Sequence, residues 1–351
     1  MTASDTNAND MNVNDMTVND DRANWHDRRV LVTGAEGFIG STLVDLLVER
    51  GARVRVLAHY KPYAERGHLA RYFGPDSPVE IVAGDVRDAN RVTDAVAGCD
   101  TVFHLAALIG IPYSYAAPEA YVQTNVAGTE NVAAACRRHG VRRMLHTSTS
   151  EVYGTARTVP IREDHPLQPQ SPYSASKIGA DMLALSYTHS FDVPVTVVRP
   201  FNTYGPRQSA RAVIPTILAQ LHSGADEIRL GSTSPTRDFT YVTDTAAGFL
   251  ALADCDRAVG HVVNLGTGRE ISIGDLAAAL IHASGRDAKV VVDETRLRPA
   301  GSEVERLLSD NSRAREWAGW SPEVDLEEGL ARTSDWVRDN LHLFAPDRYQ
   351  V

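Results

Sequence analysis

The sequence predicts an α/β protein: a Rossmann-type doubly wound parallel sheet with a smaller C-terminal α/β substrate-binding lobe. Short apolar runs alternate with helical periodicities through the N-terminal half, the pattern of βαβ units and a parallel sheet. The first apolar run leads into the glycine-rich turn Gly34-Ala-Glu-Gly37-Phe-Ile-Gly40, which opens the first helix. Beyond about Pro206 the regular alternation weakens, as expected of a second lobe.

The predicted strands are 29–33, 52–57, 79–82, 101–105, 142–148 and 193–199. Between them lie helices at 41–50 (ended by Gly51), 88–97, 118–139 and 172–190. Right-handed crossovers put these helices on both faces of the sheet. Residues 25–205 thus form a dinucleotide-binding Rossmann domain. Residues 206–351 form mainly the second lobe, with segments crossing back to the first domain. Its predicted helices are 211–223, 243–253, 273–284 and 326–340, with short strands at 227–230 and 261–265. Residues 1–24 repeat Asn-Asp, cannot bury apolar surface and are predicted to be a disordered tail.

Composition narrows the function. The chain has 351 residues, 43% hydrophobic and 23% charged, enough for one large or two fused globular domains. A formal net charge of −10 without a basic block argues against nucleic-acid binding and leaves small anionic ligands to local arginines. Cys99, Cys136 and Cys255 are scattered, with neither metal-ligand spacing nor a disulfide framework. They predict no metal and a reducing, cytoplasmic setting. No apolar run approaches the ~18 residues of a membrane span, and the N-terminus lacks a signal-peptide pattern.

The glycine turn is the predicted cofactor site. Gly34, Gly37 and Gly40 allow a tight turn and close approach of backbone to a pyrophosphate, and the helix N-terminus supplies N–H donors. Glu36, Phe38 and Ile39 complete it. An acid normally ends the second strand, where it holds the adenosine ribose; here Ala58 stands there. Nothing repels a 2′-phosphate, and His59 or Lys61 would meet one, so NAD and NADP both remain open. Asp85, followed by Val86, either accepts from the adenine amine or caps the next helix. Leu105, Ala106 and Ala107 end the fourth strand with side chains small enough for a flat cofactor; His104 reads as a packed histidine.

Tyr173 and Lys177 stand four residues apart, one helical turn, and so share a face. A neighbouring ammonium favours the phenolate and would let Tyr173 take a proton from a sugar hydroxyl. The chain has only three lysines, Lys61, Lys177 and Lys289, among 35 basic residues, and one of them is here. Thr149, Ser150 and Glu151 end the fifth strand. Thr149 is placed to hydrogen-bond the reacting hydroxyl, and Glu151 is an acid/base candidate.

Gly-x-x-Gly-x-x-Gly, His104-Leu-Ala-Ala107, Tyr-x-x-x-Lys and Arg199-Pro-Phe-Asn-Thr-Tyr-Gly-Pro206 occur in an order and spacing that resemble the extended short-chain dehydrogenase/reductases, the NAD-dependent epimerase/dehydratase family. The resemblance spans about Arg28 to Trp336. Thr149-Ser150-Glu151 resembles the Thr-x-Glu motif of nucleotide-sugar 4,6-dehydratases. Residues 106–114, 147–154, 170–180 and 199–215 look closest to UDP-N-acetylglucosamine 4,6-dehydratases of the legionaminic-acid type.

The resemblance implies a redox-neutral cycle with NAD, or NADP. Tyr173 takes the O4 proton, assisted by Thr149, as hydride leaves C4; Lys177 tunes Tyr173 and holds the nicotinamide ribose. Glu151 removes H5, the C6 hydroxyl leaves as water, and hydride returns to C6. Ser150 stands where some relatives have an acidic Asp, so Glu151 would also protonate the leaving hydroxyl. The resemblance also assigns Asn202, Arg237 and Arg298 to the substrate diphosphate, with Arg207 and Arg211 weaker candidates. The loop of Arg298 is two residues longer than the usual pattern. The helices at 118–139 and 172–190 correspond to those that form a homodimeric four-helix bundle. A 4-epimerase and a UDP-glucuronate decarboxylase are the alternative enzymes; a non-catalytic NAD(P)-binding regulator or scaffold is the alternative of another class.

Overall fold

The computed structural model describes residues 25–59, 67–72, 74 and 76–346; the predicted tail and Lys61 lie outside these residues. Among the described residues the strands are β1 (Arg29–Thr33), β2 (Arg53–Ala58), β3 (Val79–Ala83), β4 (Thr101–His104), β5 (Arg143–Thr147), β6 (Val195–Pro200), β7 (Asn202–Tyr204), β8 (Glu227–Leu230), β9 (Thr236–Arg237), β10 (Phe239–Tyr241), β11 (Val262–Leu265), β12 (Ile271–Ser272) and β13 (Lys289–Val292). The helices are α1 (Phe38–Glu49), α2 (Ala89–Val96), α3 (Ile111–Ala116), α4 (Pro118–Tyr121), α5 (Gly128–His139), α6 (Pro172–Phe191), α7 (Val213–His222), α8 (Val242–Ala253), α9 (Ile273–Ser284), α10 (Ser312–Ala318) and α11 (Leu326–Asp339).

Seven strands form one sheet in the order β3-β2-β1-β4-β5-β6-β11, every pairing parallel. A parallel sheet buried on both faces needs apolar side chains on both sides of each strand, and β1 shows the division. Val30 and Val32 pack with α1, α8 and α10 on one face. Leu31 packs with α2, α5 and α6 on the other. The chain runs outward from β1 to β3, then returns to place β4 on the other side of β1. The resulting switch point lies at the carboxyl ends of β1 and β4, where such sheets bind ligands.

The structure corrects the sequence expectations in two places and adds three two-stranded pairs. Residues 262–265 are not a strand of the second lobe but β11, the seventh strand of the main sheet beside β6. The helix expected over 118–139 is broken into α4, a π-helical turn (Val122–Ala127) and α5. The π-turn turns Asn125 inward, where its side chain bonds both the N–H and the C=O of Leu108; such bulges re-aim single side chains. The pairs β7–β10, β9–β12 and β8–β13 add small sheets around a second core that includes Tyr204, Ile217, Ile228 and Leu276. Phe38 and Ile39 of α1 pack against that core, so the glycine turn sits where the two packing units meet. Among the described residues no helix is long and apolar enough to cross a membrane.

Candidate active site

The dinucleotide cradle is shaped by backbone contact. Gly34 has φ +70°, and a Cβ there would lie 2.6 Å from the Ala106 nitrogen. A Cβ on Gly40 would lie 2.3 Å from the Gly34 carbonyl oxygen. Only glycine fits either place, so the N-terminus of α1 comes up against the ends of β1 and β4 with its N–H groups directed at the crevice. The residues therefore fit a dinucleotide pyrophosphate. Leu105 and Ala106 are held to Thr33 through their N–H groups, at 3.2 Å each. Val86 is buried and accepts from Asn131 through its carbonyl, and Ala107 follows half-buried at the crevice. Glu36 reaches the end of β2, where its carboxylate accepts the His59 N–H at 2.9 Å.

His104 is a packed residue. Thr33 Oγ1 lies 2.8 Å from Nδ1 and Thr129 Oγ1 lies 3.0 Å from Nε2. Burial holds its pKa well below the ordinary histidine value, keeping the ring neutral. Asp85 does not cap α2: Asp88 does, accepting from the N–H groups of Asn90 and Arg91. Asp85 instead accepts two hydrogen bonds from the Arg87 guanidinium and one from its N–H, which hold the carboxyl below its usual range.

The acid/base candidates named from the sequence converge from two elements. A capping box at Ser171 and Ser174 starts α6 and fixes its first turn, setting Tyr173 and Lys177 on a buried face. Lys177 Nζ donates to the Thr147 carbonyl at 2.6 Å. Burial lowers its pKa to about 8, with Asp181 opposing. Burial pushes the Tyr173 phenol above its ordinary value; its hydrogen bond with Thr149 pulls the other way, and the charge of Glu151 adds to the rise. Thr149 Oγ1 also accepts the Glu151 N–H at 3.2 Å, which shapes the 3-10 turn Ser150–Tyr153. Ser150 is buried and Glu151 half-buried. The sequence expectation brought Lys177 to Tyr173; in the structure its ammonium rests on the end of β5.

A buried network beneath these groups escaped sequence reasoning. Asp181, fully buried, accepts from Ser148 Oγ at 2.7 Å, from Arg199 Nη2 at 2.9 Å and from Arg199 Nε at 3.2 Å. His146 Nε2 lies 3.2 Å from it. Arg199 also donates to the Tyr153 hydroxyl, which donates to Asn264. The network ties α6 to the ends of β5, β6 and β11, the floor under Thr149 and Glu151. The available signal was Asp181 itself, one further helical turn beyond Lys177.

Arg237 and Arg298 come together: each reaches Glu303 Oε1, at 3.4 and 3.5 Å. Arg237 is buried and feels the charge of Glu151. Asn202 sits on β7, paired to β10, and its buried Oδ1 has no hydrogen-bond partner among the described residues. Arg207 lies elsewhere. It has φ +74° and donates to Ser41 Oγ and Asp45 on α1, linking its loop to the cofactor helix. Arg211 acts electrostatically on Tyr121, whose ring meets Tyr173 edge-on at 6.2 Å. Among the described residues no group of three His, Cys, Asp or Glu side chains could hold a metal ion.

A doubly wound sheet of this order, with a helix-borne Tyr–Lys pair at the carboxyl end of β5, fits the extended short-chain dehydrogenase/reductases, the NAD-dependent epimerases and dehydratases of nucleotide sugars, to which the comparisons assign the chain. More particularly, the family described as GDP-mannose 4,6 dehydratase matches residues 31–333, and the chain belongs to it. A dTDP-glucose 4,6-dehydratase of Streptomyces antibioticus is 38% identical over 322 residues, covering 90% of this chain and 94% of that relative. A UDP-glucose 4-epimerase of Mycolicibacterium smegmatis is 37% identical, covering 89% and 99%. Among solved structures, DesIV, a dTDP-glucose 4,6-dehydratase of Streptomyces venezuelae with NAD and TYD bound, superposes with a TM-score of 0.81 at 31% identity, covering 91% and 99%.

Proposed function

We propose that the protein is a nucleotide-sugar 4,6-dehydratase that converts UDP-N-acetylglucosamine to its 4-keto-6-deoxy product. One observation carries this reading over 4-epimerisation: Glu151 is held by Thr149 close enough to Tyr173 for its charge to bear on the phenol. Epimerisation needs a base at O4 and no second carboxylate; elimination across C5 and C6 needs one. Residues 106–114, 147–154, 170–180 and 199–215, similar to enzymes that act on UDP-N-acetylglucosamine, support the choice of sugar.

Tyr173, assisted by Thr149, removes the O4 proton, and Lys177 would hold the nicotinamide ribose. Bound NAD supplies the redox chemistry, taking hydride from C4 and returning it at C6. The C4 ketone acidifies H5, which Glu151 removes. Glu151 then delivers a proton to the C6 oxygen, directly or through Ser150, and water leaves. Left as a carboxylate, Glu151 takes up a proton from solvent, balanced by the O4 proton that Tyr173 releases, and passes it to C5 as C6 is reduced. Asn202, Arg237 and Arg298 hold the diphosphate, for which a guanidinium fork is the suitable donor.

Incubation with UDP-N-acetylglucosamine tests the reading: the product should be lighter by one water. Intact substrate with every common nucleotide sugar would sink it. Turnover that survives Glu151→Gln would mean an epimerase, and released carbon dioxide from UDP-glucuronate a decarboxylase.

We also infer a homodimer. The π-turn and α6 pack together, and each presents an apolar side chain to solvent, Val122 at 51% and Met182 at 46% exposure, as a helix–helix interface requires. Sedimentation at a single protomer mass would overturn it. The three cysteines, all buried and unpaired, fit a cytoplasmic setting.

A further inference from the structure

One side-chain amide joins the acid/base candidates to the paired arginines. We propose that Gln170 is a positioning residue: it clasps the loop of Arg298 and Glu303 to the start of α6 and to the turn of Glu151, and so sets the grip on the substrate diphosphate. Gln170 Nε2 donates to the Glu303 carbonyl at 2.9 Å and to the Gly301 carbonyl at 3.3 Å. Its Oε1 accepts the Thr155 N–H. These partners dictate which way the amide faces, since a backbone N–H only donates and a carbonyl only accepts. Both N–H bonds of the amide are thereby spent on the loop, and its oxygen on the turn.

Each partner belongs to a different part of the site. Gln170 directly precedes Ser171, whose capping box starts α6, and Tyr173 stands three residues on. Thr155 follows the 3-10 turn that holds Glu151, and its Oγ1 accepts the Glu305 N–H at 3.1 Å, a second tie to the same segment. The Glu303 carboxylate meets both Arg237 and Arg298, so fixing the Glu303 main chain fixes the group that orients both guanidiniums. Gly154 has φ +61°, and a Cβ there would lie 2.5 Å from Gln170 Oε1 and 2.6 Å from the Gln168 carbonyl oxygen. Any side chain at that place would push the clasp apart. A further tie comes from α3, which packs against α6: the Tyr115 hydroxyl lies 2.5 Å from Ser302 Oγ. Gln168 offers a contrast, because its Nε2 donates to the Tyr153 and Thr155 carbonyls, at 2.7 and 3.1 Å, and so holds the turn alone.

The inference rests on the reading of Arg237 and Arg298 as the diphosphate holders, and free nucleotides test it without regard to the sugar. The full-length enzyme is titrated by calorimetry with UDP, dTDP and GDP, and separately with NAD+. At neutral pH Gln170→Glu keeps an acceptor for the Thr155 N–H but has no donor for the two loop carbonyls. It should weaken the nucleoside diphosphate that the wild type binds best by roughly tenfold, the scale of two lost neutral hydrogen bonds, and leave NAD+ affinity unchanged. With UDP-N-acetylglucosamine it should raise KM more than it lowers kcat, whereas Gln170→Ala, which also frees Thr155, should lower kcat as well. Gln168→Ala should leave diphosphate affinity as it is. Wild-type diphosphate affinity in Gln170→Glu, an equal loss of NAD+ affinity, or an equal diphosphate loss in Gln168→Ala would overturn the proposal. A wild type that binds none of the three diphosphates would overturn it together with the diphosphate reading. A wild type that binds UDP but leaves UDP-N-acetylglucosamine intact would remove only the choice of substrate, and the titrations would still decide the clasp.

Discussion

Lys177 Nζ donates to the Thr147 carbonyl oxygen at 2.6 Å, joining the second turn of α6 to the last residue of β5. The bond fixes the distance between the helix that carries Tyr173 and the strand that leads into Thr149 and Glu151. Burial lowers the Lys177 pKa to about 8 from an ordinary value of 10.5. Below about 8 the ammonium is buried and charged, which costs stability. Between 8 and 10.5 the folded chain binds fewer protons than the unfolded one, so this residue's contribution rises with pH. Lys177→Met should remove that rise in urea unfolding measured across the window, and should abolish turnover.

Glu151 and Tyr173 should separate the two halves of the chemistry. Tyr173→Phe should cut kcat by about 10²–10⁴, the usual worth of a positioned proton-transfer group, with UDP binding unchanged. Run in heavy water, the wild type should place deuterium at C5 of the product, because the original C5 proton leaves with the water and Glu151 delivers one taken from solvent. Glu151→Gln should lose both the dehydration and the label, read by mass spectrometry.

Asp181 should be a stability residue with an acid signature. Burial alone would raise its pKa, but the His146 hydrogen bond and the Arg199 charge outweigh it and hold the group at about 2. Because the folded value is below the ordinary 3.8, its stabilising effect is complete above 3.8 and is lost as pH falls toward 2. Asp181→Asn leaves the Arg199 guanidinium buried without its counter-charge and should cost about 3–5 kcal/mol. Urea unfolding at neutral pH measures the loss; the variant should also show less acid dependence than the wild type below pH 3.8.

Arg237 and Arg298 share Glu303 Oε1, so an internal carboxylate stands where the diphosphate is proposed to bind. Arg237→Ala should weaken UDP binding by roughly tenfold to hundredfold, the worth of a charge-assisted hydrogen bond. Glu303→Gln should strengthen it several-fold at low salt, because one competing anion is removed. Calorimetric titration with UDP distinguishes the two effects.

Much of the site was legible because its signals are local. The spacing of Gly34, Gly37 and Gly40 and the helical turn between Tyr173 and Lys177 involve neighbours in the chain, so periodicity and turn chemistry register them. The long β-strands and most helices were legible for the same reason, while β7, β9, β10 and β12, at two or three residues each, are too short to display a period. The π-turn at Val122–Ala127 was hidden because its cause is Leu108, a residue on another segment whose backbone Asn125 satisfies.

The sequence by itself determined the doubly wound sheet and the glycine turn, and it singled out the proposed acid/base residues. Tertiary structure alone decided what those residues rest on and which charges meet. Asp181 meets Arg199 only because α6 lies across β5 and β6, Arg207 meets Asp45 only where its loop reaches α1, and the Glu36 carboxylate meets β2 only across the sheet's end. Hydrogen-bond and backbone preferences act between chain neighbours and leave a periodic trace. A buried charge pair is set by where two distant segments are packed, and no spacing along the chain records that distance.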